Sequence, residues 1–512
     1  MKTLQQLSAE ALAREADQPA VNFEGAWYSW GQLREVADQI HALLEQSGAG
    51  ADTTVTFIPR NRPSALSALM TFLSHGRNVR MLYPFQSAAS LARQIEQQQT
   101  NAQQPAYDRP AAVIAAARDF SEEVIAVLRE QGIVGIALSE MKAELVAGCE
   151  RIGAQRQPVV APDESVERRI EILTSGTTGT PKPFPIPYSL IENHMIGEQL
   201  RTGQMPYFSG EAPALLYFPM GNITGIHTTV PPLIKGQSIM LLDKFDLQAW
   251  CQYVKEYRPE TSGIPPAAMG QLLDANVAAE DLSSLKSMGS GAAPLDPSLH
   301  REFERRYQIP ILLSYGATEF GGPVTGWSVA LHQQFSEAKF GSVGKAFPGG
   351  FNVRVVDAIT EQELPAGEEG ILEVVSPRIG SHWIRTSDIA MIDSDGFVFL
   401  RGRADGAIMR GGFKVLPETI EKALLLHPAV SSVSVVGVPD KRVTEVPAAA
   451  IELRAGVSAP TPEELAAHLR EHLLATHIPV HWQFVDGLPK TPSFKIDRPA
   501  VKRLFSEEGT AQ

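Results

Sequence analysis

Hydrophobic spacing alternates between two periods along the first hundred residues. In "YSWGQLREVADQIHALLEQSG" apolar positions recur at helical intervals, and Ser29 with Gln32 stands in capping-box spacing, so a helix is predicted that stops by Gly48. "TTVTFIP" reads as a strand, and "SALSALMTFLSHG" as a helix ending at Gly76. Such alternation predicts parallel α/β layers. The stretch from about 95 to 165 lacks a clear period, and "QQQTNAQQPAYDRPAA" within it is expected to loop out of the fold. "ERRIEILTSG", "PALLYFPM" and "QSIMLLD" read as buried strands.

The texture changes after residue 340, where "NVRVVDAITEQELPAGEEGILEVVS" and "GFVFLRGR" are short alternating strands joined by turns. The last hundred residues change again. "KVLPETIEKALLLHP" reads as a helix, "SSVSVVGVP" and "PAAAIEL" as strands, and Thr461–Pro462 with Glu464 caps a further helix. The expected fold class is α/β. A large N-terminal domain of layered α/β subdomains plus a β-rich subdomain, residues 1–403, precedes a small, mobile α+β domain, residues 404–512. Glycines cluster at that boundary, in "GRADGAIMRGG".

Composition narrows the function classes. At 512 residues the chain exceeds one ordinary core. A formal charge of −13 argues against a general nucleic-acid surface, leaving room for a local basic pocket. Two cysteines, Cys149 and Cys251, make neither a disulfide framework nor a zinc site by themselves, which fits a reducing cytoplasm. The N-terminus lacks the long apolar core of a signal peptide, and no apolar run is long enough for a membrane-spanning helix. A cytoplasmic protein without stable membrane insertion, monomer or homodimer, is expected.

"TSGTTGTPK", residues 174–182, sets glycines and hydroxyls in front of one lysine. Backbone N–H groups of such a loop can approach an anion closely. It is not a Walker A loop, because Lys182 is followed by Pro183 and the G-x-x-x-x-G-K-[ST] spacing fails. Alone, the stretch fits a phosphate loop and a polar surface turn equally well. Other polar islands follow in order: "YGATEFGG" (315–322), "RTSDIAMIDSDG" (385–396), "GRADGAIMRGGFK" (402–414) and "PKTPSFKIDR" (489–498). Together they resemble the adenylate-forming superfamily of acyl- and aryl-CoA synthetases, peptide-synthetase adenylation domains and luciferases. The resemblance spans nearly the whole chain, from "YSWGQL" to "KIDR".

The resemblance implies a two-step reaction. A carboxylate attacks the α-phosphate of ATP, giving acyl-adenylate and pyrophosphate, and a thiol then displaces AMP. It implies that Thr174, Ser175, Gly176, Thr177, Thr178 and Lys182 wrap the β- and γ-phosphates. Ala292, Ala293 and Pro294, with Gly316 and Ala317, belong to the nucleotide site, where Tyr315 stacks on the base. Thr318 holds the α-phosphate and Glu319 coordinates Mg²⁺, which one carboxylate, phosphate oxygens and waters suffice to bind. Asp388 accepts from the ribose hydroxyls and Arg403 reaches the ribose or α-phosphate. Asp405 is the hinge, Gly411 and Gly412 line the pantetheine tunnel, and Lys495 bridges the carboxylate and α-phosphate during adenylation. For the acyl site the implied residues are Asn222, Gly225, Gly291, Gly321 and Gly322.

This chain departs from the family pattern at three places. Serine stands at 387 where T-G-D is usual, which requires a backbone without positive φ. Phe494 replaces the glycine before the lysine, and Asn222 replaces the histidine that often gates the acyl channel. Asn222 fits a polar contact to substrate and a capped turn equally well. The small Gly291, Gly321 and Gly322 leave room for a bulky acid, and glycines also serve turns; the Gly411–Gly412 pair fits a plain β-turn too.

Other chemistries compete poorly. His468 and His472 stand four apart on a predicted helix with no third ligand evident, so a solvated face is expected. "GSGAAP" around Ser290 misses the G-x-S-x-G nucleophile elbow. "DSDG" (393–396) lacks an acidic or amide residue at Met391 for a calcium loop, and reads as a turn between strands. The expected activity is an ATP- and Mg²⁺-dependent acid:coenzyme A ligase acting on a hydrophobic, aromatic or alicyclic acid. The alternatives are loading of a carrier-protein pantetheine, or a non-catalytic nucleotide-binding relative.

Overall fold

The computed structural model describes all residues except 101–108, 154–166, 175–181, 204–211, 292–294, 296, 404–405, 490–495, 497 and 506–512. The chain folds into two compact units, one holding Met1–Thr174 and Pro181–Asp246, the other Leu247–Gln512. The expected boundary at 403/404 falls inside the second unit.

The first unit is built on a seven-stranded sheet. Its order is Lys142–Leu145, Val134–Ser139, Pro110–Ala116, Thr54–Ile58, Asn78–Met81, Arg169–Thr174 and Lys182–Pro187. The inner pairings are parallel and the two edge pairings antiparallel. Central strands are buried along their whole length, as parallel strands covered on both faces must be. The helix Trp30–Gln46 starts with the predicted capping box, Ser29 Oγ accepting from Gln32 N and the Gln32 amide accepting from Ser29 N. One sequence expectation fails here. The helix Ala88–Thr100 includes the "QQQT" that was expected to loop out, and Pro110–Ala116 is a central strand. An all-buried strand has no alternation to betray it, and its Ala-rich run carries little β signal.

Buried charge inside this sheet is paired. Arg80 Nε donates to Glu171 Oε2 at 2.6 Å, and Arg169 Nε donates to Glu171 Oε1 at 2.8 Å. Arg80 and Glu171 are register partners on adjacent parallel strands, so the pair locks the strand that runs into "TSGTTGTPK". A smaller four-stranded sheet joins Pro19–Phe23 and Ala26–Ser29 to Ala214–Leu216 and Ile239–Leu241.

Among its described residues the second unit holds three sheets. Thr261–Gly263, Ser287–Ser290 and Ile311–Ala317 are parallel neighbours, extended by antiparallel Gly322–Gly326 and Lys345–Ala346. The β-rich region is an antiparallel sheet of Asn352–Val356, Glu369–Val375, Ile384–Ile392 and Val398–Arg403. In the last sheet Val430–Asp440 pairs with Thr444–Leu453, flanked by the hairpin Ile408–Arg410/Phe413–Val415 and by His481–Phe484. Helices Pro417–Leu424 and Pro462–Arg470 share a core with it, through Ile420, Leu424, Leu465, Leu469, Val435 and Ile451. The second helix carries the predicted Thr461–Glu464 capping box. Among the described residues no helix is long and apolar enough to cross a membrane.

Arg410, at the end of that hairpin, donates to the carbonyls of Thr476 (2.8 Å) and Ile478 (3.0 Å), around His477. Burial first, and the Arg410 charge second, push the His477 pKa down to about 4 from 6.5. The unfolded chain therefore takes up the proton first, and stability falls as pH drops from about 6.5 towards about 4. In His477→Asn this loss, followed by chemical denaturation across that window, is expected to flatten. In the first unit, Glu171→Ala removes the buried acceptor that Arg80 and Arg169 share and is expected to cost about 3–5 kcal/mol, read as a lower urea midpoint. Glu171→Gln, which keeps a hydrogen-bond acceptor, is expected to cost less.

Candidate functional site

Among the nucleotide-type residues, Tyr315, Thr318, Glu319 and Asp388 gather where two sheets of the second unit meet. Ile311–Ala317 ends in Tyr315-Gly316-Ala317, and a single 3₁₀ turn, Thr318–Phe320, follows it. Gly321 closes the turn with φ +69°, its N–H donating to Thr318 O at 2.9 Å. An L side chain would be strained there, so this glycine has a backbone reason irrespective of any substrate. Phe320 is buried, and its carbonyl accepts from Ser376 Oγ at 2.7 Å. With Val324 it packs against Val355, Leu372, Val374 and Val398 of the antiparallel sheet. That apolar seam fixes the turn while Glu319 points its charge outward. Glu319 is exposed and, among the described residues, has neither an ion pair nor a hydrogen bond.

Across the seam lies Asp388, in Ile384–Ile392. Tyr315 Oη donates to Asp388 Oδ2 at 2.6 Å, a short charge-assisted bond. The Asp388 backbone N–H donates to Thr386 Oγ1 at 2.9 Å, and that hydroxyl donates to Leu372 O at 2.8 Å. Thr386 thus ties the strand beside Asp388 to its neighbour. It was missed as a positioning residue, although a Thr two places before an Asp is a recognisable side-chain-to-backbone pattern. Ser387 lies in extended strand and is not among the positive-φ residues, so serine in place of glycine costs no backbone strain. Asp388 and Arg403 are antiparallel register partners next to a bulge.

Thr174 and Lys182 are also register partners, closing the base of the phosphate-type stretch as an antiparallel pair in the first unit. Ser175, Gly176, Thr177, Thr178, Ala292, Ala293, Pro294, Asp405 and Lys495 lie outside the described residues, as do the side chains of Thr174, Lys182 and Arg403. Gly411 and Gly412, at φ +57° and +85°, form the two-residue turn between Ile408–Arg410 and Phe413–Val415. Two positive φ values are what a type I′ hairpin needs.

In the first unit Asn222 caps the helix Ile223–Lys235, its Oδ1 accepting from Gly225 N at 2.7 Å. A Cβ on Gly225 would lie 1.9 Å from Pro219 O, so the backbone itself excludes any larger residue. The capped-turn reading of Asn222 therefore holds for its Oδ1, and Nδ2 remains its donor toward a substrate. Gly291 directly follows Ser287–Ser290, and Gly322 opens Gly322–Gly326.

The discounted motifs fall out as expected, with one exception. Ser290 is buried and donates to Ile264 O at 3.0 Å. Asp393 accepts from the N–H groups of Asp395 and Phe397, and both aspartates pair with Lys339, which makes "DSDG" a turn. The exception is His468 and His472. Glu471 supplies the third donor the sequence reading missed, and the three groups' ligand atoms all lie within 4.8 Å of one another.

Comparison with known proteins gives the family. The model of the AMP-binding enzyme family matches residues 8–381, and that of the AMP-binding enzyme C-terminal domain matches 419–495. The medium/long-chain-fatty-acid–CoA ligase FadD8 of Mycobacterium tuberculosis is 27% identical, over 97% of this chain and 89% of its own. The 4-coumarate–CoA ligase-like 9 of Oryza sativa subsp. japonica is 28% identical, over 94% and 88%. Among solved structures, the amide bond synthetase McbA from Marinactinospora thermotolerans has a TM-score of 0.79 at 24% identity, over 98% of this chain and 100% of that one. A double mutant of o-succinylbenzoate CoA synthetase (MenE) from Bacillus subtilis has a TM-score of 0.77 at 20% identity, over 97% and 98%. These likenesses bear out the expected fold: a large N-terminal α/β domain and a small C-terminal one. The chain belongs to the AMP-binding enzyme family, the adenylate-forming enzymes that its motifs resemble.

Proposed function

We propose that the protein is an AMP-forming acid:coenzyme A ligase that takes a hydrophobic, aromatic or alicyclic carboxylic acid. The observation that carries this reading is the Tyr315–Asp388 hydrogen bond, beside the exposed Glu319, which has no ion pair among the described residues, in a chain that matches both family domains. Relatives matching nearly the whole chain carry the names of coenzyme A ligases for fatty and 4-coumaric acids, which supports coenzyme A over a carrier protein as acceptor.

The chemical difficulty is that a carboxylate must attack a polyphosphate. Cations and N–H donors must therefore stand where negative charge accumulates. Asp388 binds the ribose hydroxyls, and the bond from Tyr315 holds its carboxylate while the tyrosine ring stacks on the base. Glu319 fits Mg²⁺, being a solvent-facing oxygen donor not engaged elsewhere among the described residues. When bound, that ion neutralises charge on the phosphate oxygens. Thr318 holds the α-phosphate, and the loop from Thr174 to Lys182 steadies the departing pyrophosphate. Lys495, where the C-terminal family match ends, bridges carboxylate and α-phosphate. A unit charge ~4 Å from a growing negative one contributes about 4 kcal/mol at an effective dielectric near 20. Residues 404–512 move as a domain about Asp405 between the half-reactions, bringing Gly411 and Gly412 to the thiol channel. The narrow turn of that glycine pair keeps side chains out of the channel wall.

The test is purified protein with ATP, Mg²⁺ and a panel of acids, following pyrophosphate and AMP with and without coenzyme A. Acid-dependent pyrophosphate together with thioester is expected from at least one aromatic or alicyclic acid. Pyrophosphate without thioester would shift the assignment to carrier loading, and none from any acid would overturn it. Lys495→Ala is expected to slow adenylation on the order of 10²–10³-fold while keeping much of the thioester step from supplied acyl-adenylate. Equal loss of both steps contradicts the role given to Lys495.

A further inference from the structure

The sequence H-L-R-E-H at 468–472 sits on the closing turn of the helix Pro462–Arg470, with Glu471 as its C-cap. Positions i, i+3 and i+4 share one face, so the spacing alone brings the three side chains together. Their ligand atoms all lie within 4.8 Å of one another, and the imidazole centres of His468 and His472 are 5.0 Å apart. Two imidazoles bound to one tetrahedral ion, at ~2.0–2.1 Å each, hold their ring centres at about that separation.

The surroundings prepare His468 for this use. Its Nε2 lies 3.0 Å from Ala423 O, and a carbonyl only accepts, so Nε2 carries the proton and Nδ1 keeps its lone pair. A ligating histidine characteristically donates its other N–H to a carbonyl in this way, which fixes tautomer and ring plane. On its other side the His427 ring packs edge-on at 5.2 Å, and His427 Nδ1 accepts from Ala429 N at 3.3 Å. The negative end of the helix dipole adds attraction for a cation at this terminus.

We propose that His468, Glu471 and His472 bind one divalent transition-metal ion, with Zn²⁺ the favoured occupant and a coordination position left open. Two imidazoles and one carboxylate are the donor set of a borderline ion, whereas Mg²⁺ and Ca²⁺ select oxygen-only sites. The ion is separate from the Mg²⁺ assigned to Glu319, and its binding does not rest on the ligase reading. Because His468 is anchored to Ala423, the ion fixes the ring that joins Pro462–Arg470 to Pro417–Leu424, two helices that share a core with the last sheet. Binding to the folded form alone then stabilises this part of the chain.

The test uses tag-free full-length protein. Zn²⁺ binding is measured by calorimetry, and Co²⁺ replaces it as a spectroscopic reporter of nitrogen and oxygen ligation. One ion per chain is expected, undisplaced by millimolar Mg²⁺, with a higher unfolding temperature. Glu471→Gln preserves the shape of an exposed side chain and is expected to weaken binding at least about 10-fold without altering metal-free unfolding, and His472→Gln to weaken it about 100-fold. No binding to the wild type, displacement by Mg²⁺, or unchanged affinity in either variant would overturn the site.

Discussion

The hydrogen bond from Tyr315 to Asp388 joins two sheets with different origins in the chain, and the geometry of the nucleotide-type residues hangs on that junction. It works only because the apolar seam beneath it is complete. Phe320 comes from the turn and Val324 from the strand after it, and Val355, Leu372, Val374, Ala390 and Val398 come from the other sheet. Buried apolar contact supplies the cohesion, and the polar bond selects one relative placement of the strands. Glu319, on the same short turn, is held out of the seam because its neighbour Phe320 is held in it. A single 3₁₀ turn thus separates a buried anchor from a solvent-facing carboxylate.

Much of this was legible in the sequence, for identifiable reasons. The capping boxes at Ser29–Gln32 and Thr461–Glu464 are local devices, and local signals survive without tertiary information. The order of the polar islands identified the family, because each island departs sharply from the apolar periods around it. The strand Pro110–Ala116 was hidden because burial on both faces erases alternation. Thr386 was passed over because its hydroxyl acts on backbone, one step removed from the chemistry.

The residues given two readings at the outset divide in an instructive way. For Asn222, Gly321 and the Gly411–Gly412 pair, the structure supplies a backbone cause: a helix cap, a left-handed turn and a hairpin, and Gly225 has one too, a close approach. Such causes are compatible with roles in binding, since a substrate channel needs rigid walls as well as space. They also mean that substitution there perturbs fold and function together. Tyr315 offers a cleaner probe, because losing one hydroxyl leaves the aromatic packing of the seam in place. His468 and His472 went the other way. A pair read as a solvated face gained a third donor in Glu471 and a carbonyl partner at Ala423.

The most direct measurement is a double-mutant cycle on AMP binding, by calorimetry, with wild type, Tyr315→Phe, Asp388→Ala and the double variant. If the bond between these residues organises the nucleotide site, each single change weakens AMP. Tyr315→Phe then adds little once Asp388 is gone, so the two effects are not additive. AMP binding as tightly to Asp388→Ala as to wild type, or two strictly additive losses, would contradict a site built on this junction.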